Sequence, residues 1–467
     1  MSKEKRSISS ATKRKINLLL LGLLYLILII PLSQTNWYTT LYAFSPKLTT
    51  SLANLFKSDL NWSVVKKNPP QGVAPAKQPL RLNNRNFKDG SFQRSFEDYF
   101  MRGNPLWGWL VRTCNQIAFS VFNQVTFNYG APAFIGKDGQ LLQAMYLNAF
   151  NRRRSLPEKV YLKKVRKIKR LRKLLAERGI TLLITVSPNA VELYPELLPS
   201  SYIDPSRLSR KNSYDIMRPA IEAEGIDIVD SYQILLGMRD HFPFRFFGKG
   251  SAHWNNVASC IATNNIISKI STLTKKELKN FPCSPFTYHE PIGDDDDLLK
   301  IANILFPKRY TEMMPYAPKA EQLYQTPPIR LLIVGTSFNF ALLDHINKRN
   351  LADTKFFFYY KSVYTKQLRG SPLNKAKIDW ENDIFKNDVI ILESNYSGLG
   401  AIGYDFLDDA IRKLRYAKLT PAQKEALKLK KQKQAERLRK KRALQPKAET
   451  LKKDSTDSEF DPFKEQG

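Results

Sequence analysis

The chain has only four histidines and three cysteines in 467 residues. Cys114, Cys260 and Cys283 show no metal-ligand spacing, so no metal and no cofactor is expected from them. Their odd number gives no disulfide framework, and Cys114 and Cys260, in apolar periodic segments, are expected to be buried. Acidic residues are also scarce: 43 Asp and Glu stand against 74 Lys and Arg, a formal charge of +31. The scarcity of histidine narrows any search for a general base to His241, His253, His289 and His345. Hydrophobic content of 43% and aromatic content of 12% suit a genuine core.

The excess positive charge is concentrated at the two ends and in one helix rather than spread over a binding face. Lys3, Lys5, Arg6, Lys13, Arg14 and Lys15 precede an apolar run from Ile16 to Leu32, with Trp37, Tyr38 and Tyr42 beyond it and no Lys or Arg until Lys47. This reads as a single-pass anchor with its N-terminus in the cytoplasm and the bulk of the chain exported. A cleaved signal peptide is the alternative, and the absence of a small-x-small site near Ser33 favours the uncleaved anchor. Export argues against nucleic acid as a partner.

The Pro69–Pro75 stretch marks a linker. Helical periodicity begins at about Asn86. Asn104-Pro105 interrupts it, and a second helix runs from Trp109 to Phe122. Phe134 to Leu141 reads as a hairpin turning at Asp138-Gly139. Pro157 to Arg178 is a basic amphipathic helix whose apolar stripe is Tyr161, Val165, Ile168, Leu171 and Leu175. It is either a solvated outer helix or a contact for anionic lipid or an anionic glycopolymer. Strands at Ile180–Val186, Ile226–Val229, Leu331–Val334 and Asp388–Leu392 alternate with helices at Tyr214–Ala223, His253–Ile270 and Phe406–Tyr416. That alternation predicts an α/β fold with a mostly parallel sheet flanked by helices. From Thr420 the apolar stripe is lost and a charged helix with a disordered end is expected.

Arg330 to Val334 is a buried strand, Gly335 ends it, and Phe338 to Leu343 begins a helix. Ser337 therefore sits on a strand-to-helix turn, where a hydroxyl projects beside backbone N–H groups. That is the geometry of a serine nucleophile; a helix N-cap is the plainer alternative. His253 lies in a Gly-rich loop entering an apolar helix, where an α/β sheet presents side chains to its ligand crevice, and is the leading base; a histidine held by packing on Trp254 is the competitor. His345 is two turns into the helix after Ser337 and points away from the turn.

At these residues the chain resembles the SGNH-hydrolase-like family of polysaccharide O-acetyltransferases typified by the alginate acetylation proteins AlgJ and AlgX. The blocks that carry the resemblance stand in order: Phe87–Phe92, Ile135–Leu141 with Gln140 where Trp is usual, Val186–Pro199, His253-Trp254, Gly335-Thr336-Ser337-Phe338 and Val389–Asn395. The match spans roughly residues 83–415. The resemblance implies a membrane-anchored, extracytoplasmic O-acetyltransferase of the inner membrane, facing the periplasm. Ser337 would carry the acetyl group and His253 would be its base. The donor would be a membrane-bound O-acyltransferase and the acceptor an exported polysaccharide. The chain then divides into a cytoplasmic basic segment (1–15), an anchor (16–32), a linker (33–82), the SGNH-like domain (83–415) and a charged tail (416–467).

Two departures from the family pattern stand out. The family's triad Asp precedes the His by two residues, and that position is Ser251; the family's Asp beside the nucleophile is Thr336. Ser251 is expected to hydrogen-bond the imidazole without supplying charge, and Ser251→Asp to raise turnover. The site would run as a Ser-His dyad, recruit another acid, of which Asp230 is the first candidate with a helix or turn cap as its plainer reading, or belong to a glycan-binding scaffold that has lost catalysis. An acetyl-esterase is the third reading. The family's Lys in the Pro-x-Lys block is Asn189. Asn189, Thr336 and Asn395 are the candidate oxyanion or substrate contacts, with a structural turn as the alternative for Asn395.

Overall fold

Along Arg330–Gly335, Leu331 and Ile333 face one hydrophobic core, while Leu332 and Val334 face another. Val389–Asn395 alternates in the same way, Val389 and Ile391 against Ile390 and Leu392. A strand apolar on both faces must lie inside a sheet covered on both sides. The computed structural model describes residues 82–426 apart from positions 104, 127–132, 154 and 366–369, together with 429, 432, 436 and 437. It has seven strands in one sheet: β1 (Thr181–Ser187), β2 (Ile228–Asp230), β3 (Arg330–Gly335), β4 (Asp353–Phe358), β5 (Ser362–Thr365), β6 (Ser371–Pro372) and β7 (Val389–Asn395). Their order is β6-β5-β4-β3-β7-β1-β2. The strands from β4 to β2 are parallel; β5 and β6 add an antiparallel edge. The sheet is thus mixed, with a five-stranded parallel body.

Helices α1 (Glu158–Ala176), α2 (Ser213–Ala223) and α7 (Tyr404–Ala417) cover one face. Helices α3 (Ser231–Met238), α4 (Asn256–Thr274) and α6 (Asn339–Lys348) cover the other. A short helix, α5 (Asp297–Ile301), follows an acidic loop. In α1 all five residues of the apolar stripe are buried. Each contributes about 2 kcal/mol of burial. The helix's ion pairs, Lys167 with Asp408, Lys169 with Glu224 and Arg172 with Asp227, are at least partly exposed and contribute roughly 0–1 kcal/mol each. Apolar packing therefore sets this helix's position, and its basic residues partly neutralise the acids of neighbouring elements.

The chain divides into two compact units: residues 1–130 with 299–310, and residues 131–298 with 311–467. In the first, helices Asn84–Lys88, Ser91–Gly103 and Pro105–Phe122 are joined by the 299–310 segment. Asn115 donates to the Ala302 carbonyl at 2.9 Å, and the Phe119 ring meets Tyr310 at 4.6 Å. The second unit contains the sheet and both of its helical layers.

Cys260 is buried as expected, but the other cysteine expectations need correction. Cys260 and Cys283 form a disulfide with Cα atoms 5.8 Å apart, joining α4 to the segment that follows it. Cys114 is exposed. Its helix buries the face bearing Asn115 and Phe119, so apolar periodicity pointed to the wrong stripe. The basic N-terminus, the apolar run 16–32, the linker up to residue 81 and most of the charged tail lie outside the described residues. Among the described residues no helix is long and apolar enough to cross a membrane.

The disulfide closes a loop across a separation of 23 residues, for which chain entropy gives about 3 kcal/mol. The Cys260→Ser/Cys283→Ser protein should unfold at lower denaturant with its stability reduced by roughly that amount. An unchanged unfolding midpoint would show that the bridge does not form in solution.

Candidate active site

Ser337 lies in the turn between β3 and α6, at the C-terminal end of the parallel strands. The turn is fastened to a carboxylate on the neighbouring strand. Glu393 of β7 has no exposed surface. It accepts from the Thr336 N–H at 2.6 Å, the Thr336 hydroxyl at 2.9 Å and the Asn339 amide at 2.6 Å. Burial pushes the Glu393 carboxyl above the ordinary carboxylate range, against the pull of these donors and the Ser187 hydroxyl. Gly335 makes the approach possible, because a Cβ there would stand 2.5 Å from Glu393 Oε2. Thr336 is therefore directed inward: its N–H and hydroxyl are both committed to Glu393 rather than to an oxyanion.

Tyr359, just beyond β4, closes the other side. Its backbone is left-handed at φ 49°, its N–H donates to the Gly335 carbonyl at 2.9 Å, and Tyr360 is also left-handed at φ 55°. Two successive bulky residues with positive φ are a costly arrangement, of the kind retained where a side chain must be aimed. The Tyr359 phenol lies in the neighbourhood of Ser337. Burial raises its pKa, while Ser337 opposes the rise.

Three side chains form a continuous chain. His253 Nε2 lies 2.7 Å from Ser337 Oγ, and His253 Nδ1 lies 2.7 Å from Asp297 Oδ2. Asp297 is set by two backbone donors to its other oxygen, Ala252 N–H and Leu298 N–H, both at 2.8 Å. An ionised carboxylate only accepts, so it keeps the imidazole proton on Nδ1 and leaves the Nε2 lone pair for the serine hydroxyl. The imidazole edge meets the Phe338 ring at 5.1 Å, and Trp254 packs on the same ring at 5.5 Å. Burial pushes the His253 pKa down, but the Asp297 hydrogen bond and charge, with the fields of Asp294 and Glu393, leave it raised.

The expected acids are corrected by this arrangement. Ser251 does not meet the imidazole. Its Oγ lies 2.9 Å from the His253 carbonyl oxygen and 2.8 Å from that of Asp294, and it accepts from the His253 N–H at 2.9 Å. It ties the histidine turn to the acidic loop that carries Asp297. Asp230 is not the substitute acid: it accepts from Tyr214 at 2.6 Å, Arg218 at 3.2 Å and the Gln233 N–H at 3.2 Å, capping α3. Asn189 and Asn395 stand at the C-terminal ends of adjacent strands β1 and β7. Asn189 caps residues 190–193 through the Glu192 N–H and donates to Ser397 Oγ at 2.9 Å. Asn395 accepts from the Gly398 N–H at 2.9 Å, so both amide oxygens are engaged in turns.

Asp297, Glu393 and Tyr359 were missed. Asp297 ends the run Asp294–Asp297, which as a block of like charge reads as solvated loop. The one available signal was its place directly before Leu298-Leu299, a helix start. Gln140, in the hairpin turn region, donates to the Gly248 carbonyl at 2.8 Å and so braces the loop leading to His253. His345 is structural: Nε2 lies 3.1 Å from both the Asn256 carbonyl and Ser259 Oγ, and burial with nearby Arg349 lowers its pKa to about 4. Among the described residues no group of three or more His, Cys, Asp and Glu is gathered closely enough to hold a metal ion.

Residues 135–347, which include Ser337, His253 and Asp297, match the family model described as "SGNH hydrolase-like domain, acetyltransferase AlgX". Solved structures similar to this chain include the O-acetyltransferase domain of Pseudomonas putida AlgJ, at 13% identity over 61% of this chain and 100% of that one, with a TM-score of 0.38. Bacillus cereus PatB1 is 11% identical over 58% of this chain and 97% of its own, with a TM-score of 0.36. Pseudomonas aeruginosa AlgX is 13% identical over 59% of this chain and 69% of its own, with a TM-score of 0.34. Among curated proteins there is no match.

The hydrogen-bond chain makes a direct expectation for the free protein. The His253 ring should titrate with a midpoint above the ordinary value of 6.5 when followed by proton NMR. Asp297→Asn should lower that midpoint, and Asp230→Asn should leave it in place. Equal effects from the two substitutions would count against Asp297 as the orienting group. Ser251→Asp would set a carboxylate against two carbonyl oxygens and near Asp297, so it should destabilise the loop rather than improve the site.

Proposed function

We propose, from the match of residues 135–347 to the SGNH hydrolase-like AlgX acetyltransferase model, that the protein transfers acetyl groups to hydroxyls of a cell-envelope polysaccharide through an acetyl-Ser337 intermediate. The observation that carries the mechanism is the chain Ser337–His253–Asp297, with both links at 2.7 Å. Ser337 Oγ attacks the acetyl carbonyl as its proton passes to His253 Nε2. The charge that develops on the carbonyl oxygen falls to the Ser337 N–H of the strand-to-helix turn, with the Tyr359 phenol in its neighbourhood. Asp297 stabilises the imidazolium. Collapse expels the donor's leaving group, which takes the proton from Nε2. A polysaccharide hydroxyl then attacks acetyl-Ser337, gives its proton to His253 and receives the acetyl group; Ser337 leaves as the alkoxide and recovers the proton.

The reading as a scaffold without catalysis drew on Ser251 standing where an acid was expected. Asp297 on Nδ1 removes the reason for it. Acetyl-ester hydrolysis uses the same groups with water in place of the sugar hydroxyl. The rest of the assignment is an anchor at 16–32 in the inner membrane, the catalytic unit on the periplasmic side and a membrane-bound O-acyltransferase as donor. The apolar run and its basic flank support the anchor, and the Cys260–Cys283 bridge suits an oxidising compartment. The basic tail is the part of the chain suited to an anionic lipid surface, since α1 spends several of its cations on neighbouring acids.

Incubation with p-nitrophenyl acetate should give a one-acetyl mass increase in the wild type and none in Ser337→Ala; an adduct surviving that substitution would misassign the nucleophile. Only neutral His253 accepts the serine proton, so kcat/KM should fall as pH drops through the raised His253 pKa, above 6.5. Asp297→Asn should cost up to about 10⁴ in kcat, as loss of the orienting carboxylate does in a serine protease. A reduction of less than tenfold would mean a Ser-His dyad.

A further inference from the structure

The segment 242–249, which leads into the His253 turn, forms one wall of a groove of about 970 Å³ that no step of the mechanism uses. Its aromatic lining is Tyr194, Phe242, Phe244 and Tyr288. Phe242 and Phe244 rings lie 5.3 Å apart, and Phe244 meets Tyr288 edge-on at 6.3 Å. Both arginines of the lining are already paired. Arg239 donates to the Leu193 carbonyl, pairs with Glu196 at 3.1 Å and Asp240 at 3.5 Å, and stacks over Tyr194. Arg245 pairs with Asp138 at 2.6 Å. Lys249 stands beside Glu312, which accepts its backbone N–H at 2.8 Å. Four carboxylates therefore face three cations along the groove.

We propose that this groove binds an uncharged, hydroxyl-rich glycan chain and is the acceptor subsite of the acetyl transfer; the acceptor role rests on the function argued above. The physical reasons are separate and additive. Aromatic side chains give apolar faces to the C–H faces of pyranose rings, with the tyrosine hydroxyls left to hydrogen-bond. Each Arg–carboxylate pair leaves N–H donors and carboxylate lone pairs on one rigid plane, a match for vicinal sugar hydroxyls. A polyanionic chain finds no net attraction here, because both wall arginines are paired with wall carboxylates and the four carboxylates outnumber the three cations by one. Much of the protein's positive charge lies away from this groove, in α1 and at the two ends. The wall is continuous in sequence with the His253 turn. Glu312 holds Lys249, Gln140 holds Gly248, and His253 follows four residues after Lys249.

The test uses full-length Ser337→Ala protein, which reads binding whether or not acetyl transfer occurs. Calorimetry with cellohexaose, maltohexaose, mannohexaose and N-acetylchitohexaose should find at least one ligand whose Kd changes less than about twofold between 50 and 500 mM NaCl. Tyr288→Ala, at an exposed ring, and Arg245→Gln should each weaken that ligand about tenfold, which is about 1.4 kcal/mol. Hexagalacturonate should bind more weakly than the best neutral chain. Absence of binding by all four neutral chains, tighter and salt-sensitive binding of hexagalacturonate, or indifference to both substitutions would overturn the proposal. The acetyl adduct on wild-type Ser337 is read separately, so loss of the function and loss of the groove are told apart.

Discussion

The turn that carries Ser337 depends on a carboxylate that no solvent reaches. Glu393 is taken out of water by the sheet and the two helical layers, and its compensation comes from the turn that carries Ser337: one backbone N–H, one hydroxyl and one amide. Leaving that group unpaired would cost several kcal/mol, so the turn has few alternatives to its observed path. Gly335 follows from the same constraint, since any side chain there would occupy the carboxylate's place. The identity of Thr336 follows too. It lends a hydroxyl where an acidic side chain would have set two carboxyls against each other in a dry site.

The second dependence is between the histidine and its acid, which come from segments 44 residues apart. Besides the ring contact, what joins them are bonds between a side chain of one segment and a backbone group of the other. Ala252 N–H, one residue before His253, donates to the same carboxylate that accepts from the His253 ring. Ser251 bonds to the Asp294 carbonyl. The histidine turn and the acidic loop thus form one hydrogen-bonded unit, and the imidazole and Asp297 move together if they move at all. That unit lets desolvation act usefully: burial alone would lower the His253 pKa, while a fixed carboxylate in contact raises it.

Much of this was legible in the sequence, and the part that was not has a common physical cause. The apolar stripe of α1, the β3–turn–α6 passage with Ser337, the hairpin at Asp138-Gly139 and the loop-to-helix setting of His253 are local patterns, and the structure has them where periodicity and turn chemistry put them. Asp297, Glu393, Tyr359 and the Cys260–Cys283 bridge are meetings of distant segments. A run of four aspartates reads as solvated loop, and the place of its last member before Leu298-Leu299 is a weak mark. Cys283 lies outside any periodic element, and Tyr359 is aimed by an unusual backbone conformation at a strand's end. Ser251 shows the reverse error: a position read by analogy as catalytic that the fold uses to join two loops.

That substitution also explains why the acid lies where it does. The position two residues before His253 is 1% exposed and faces the carbonyl oxygens of His253 and Asp294. A hydroxyl suits such a place because it can donate to one carbonyl and accept from the His253 N–H. A carboxylate can only accept, and would confront two oxygens and the charge of Asp297. An acid at 251 and an acid at 297 are therefore competing solutions to one requirement, a single negative charge on Nδ1. With Asp297 in place, Ser at 251 is what allows the acidic loop to approach. The missing aspartate is a consequence of the triad's arrangement rather than a defect in it.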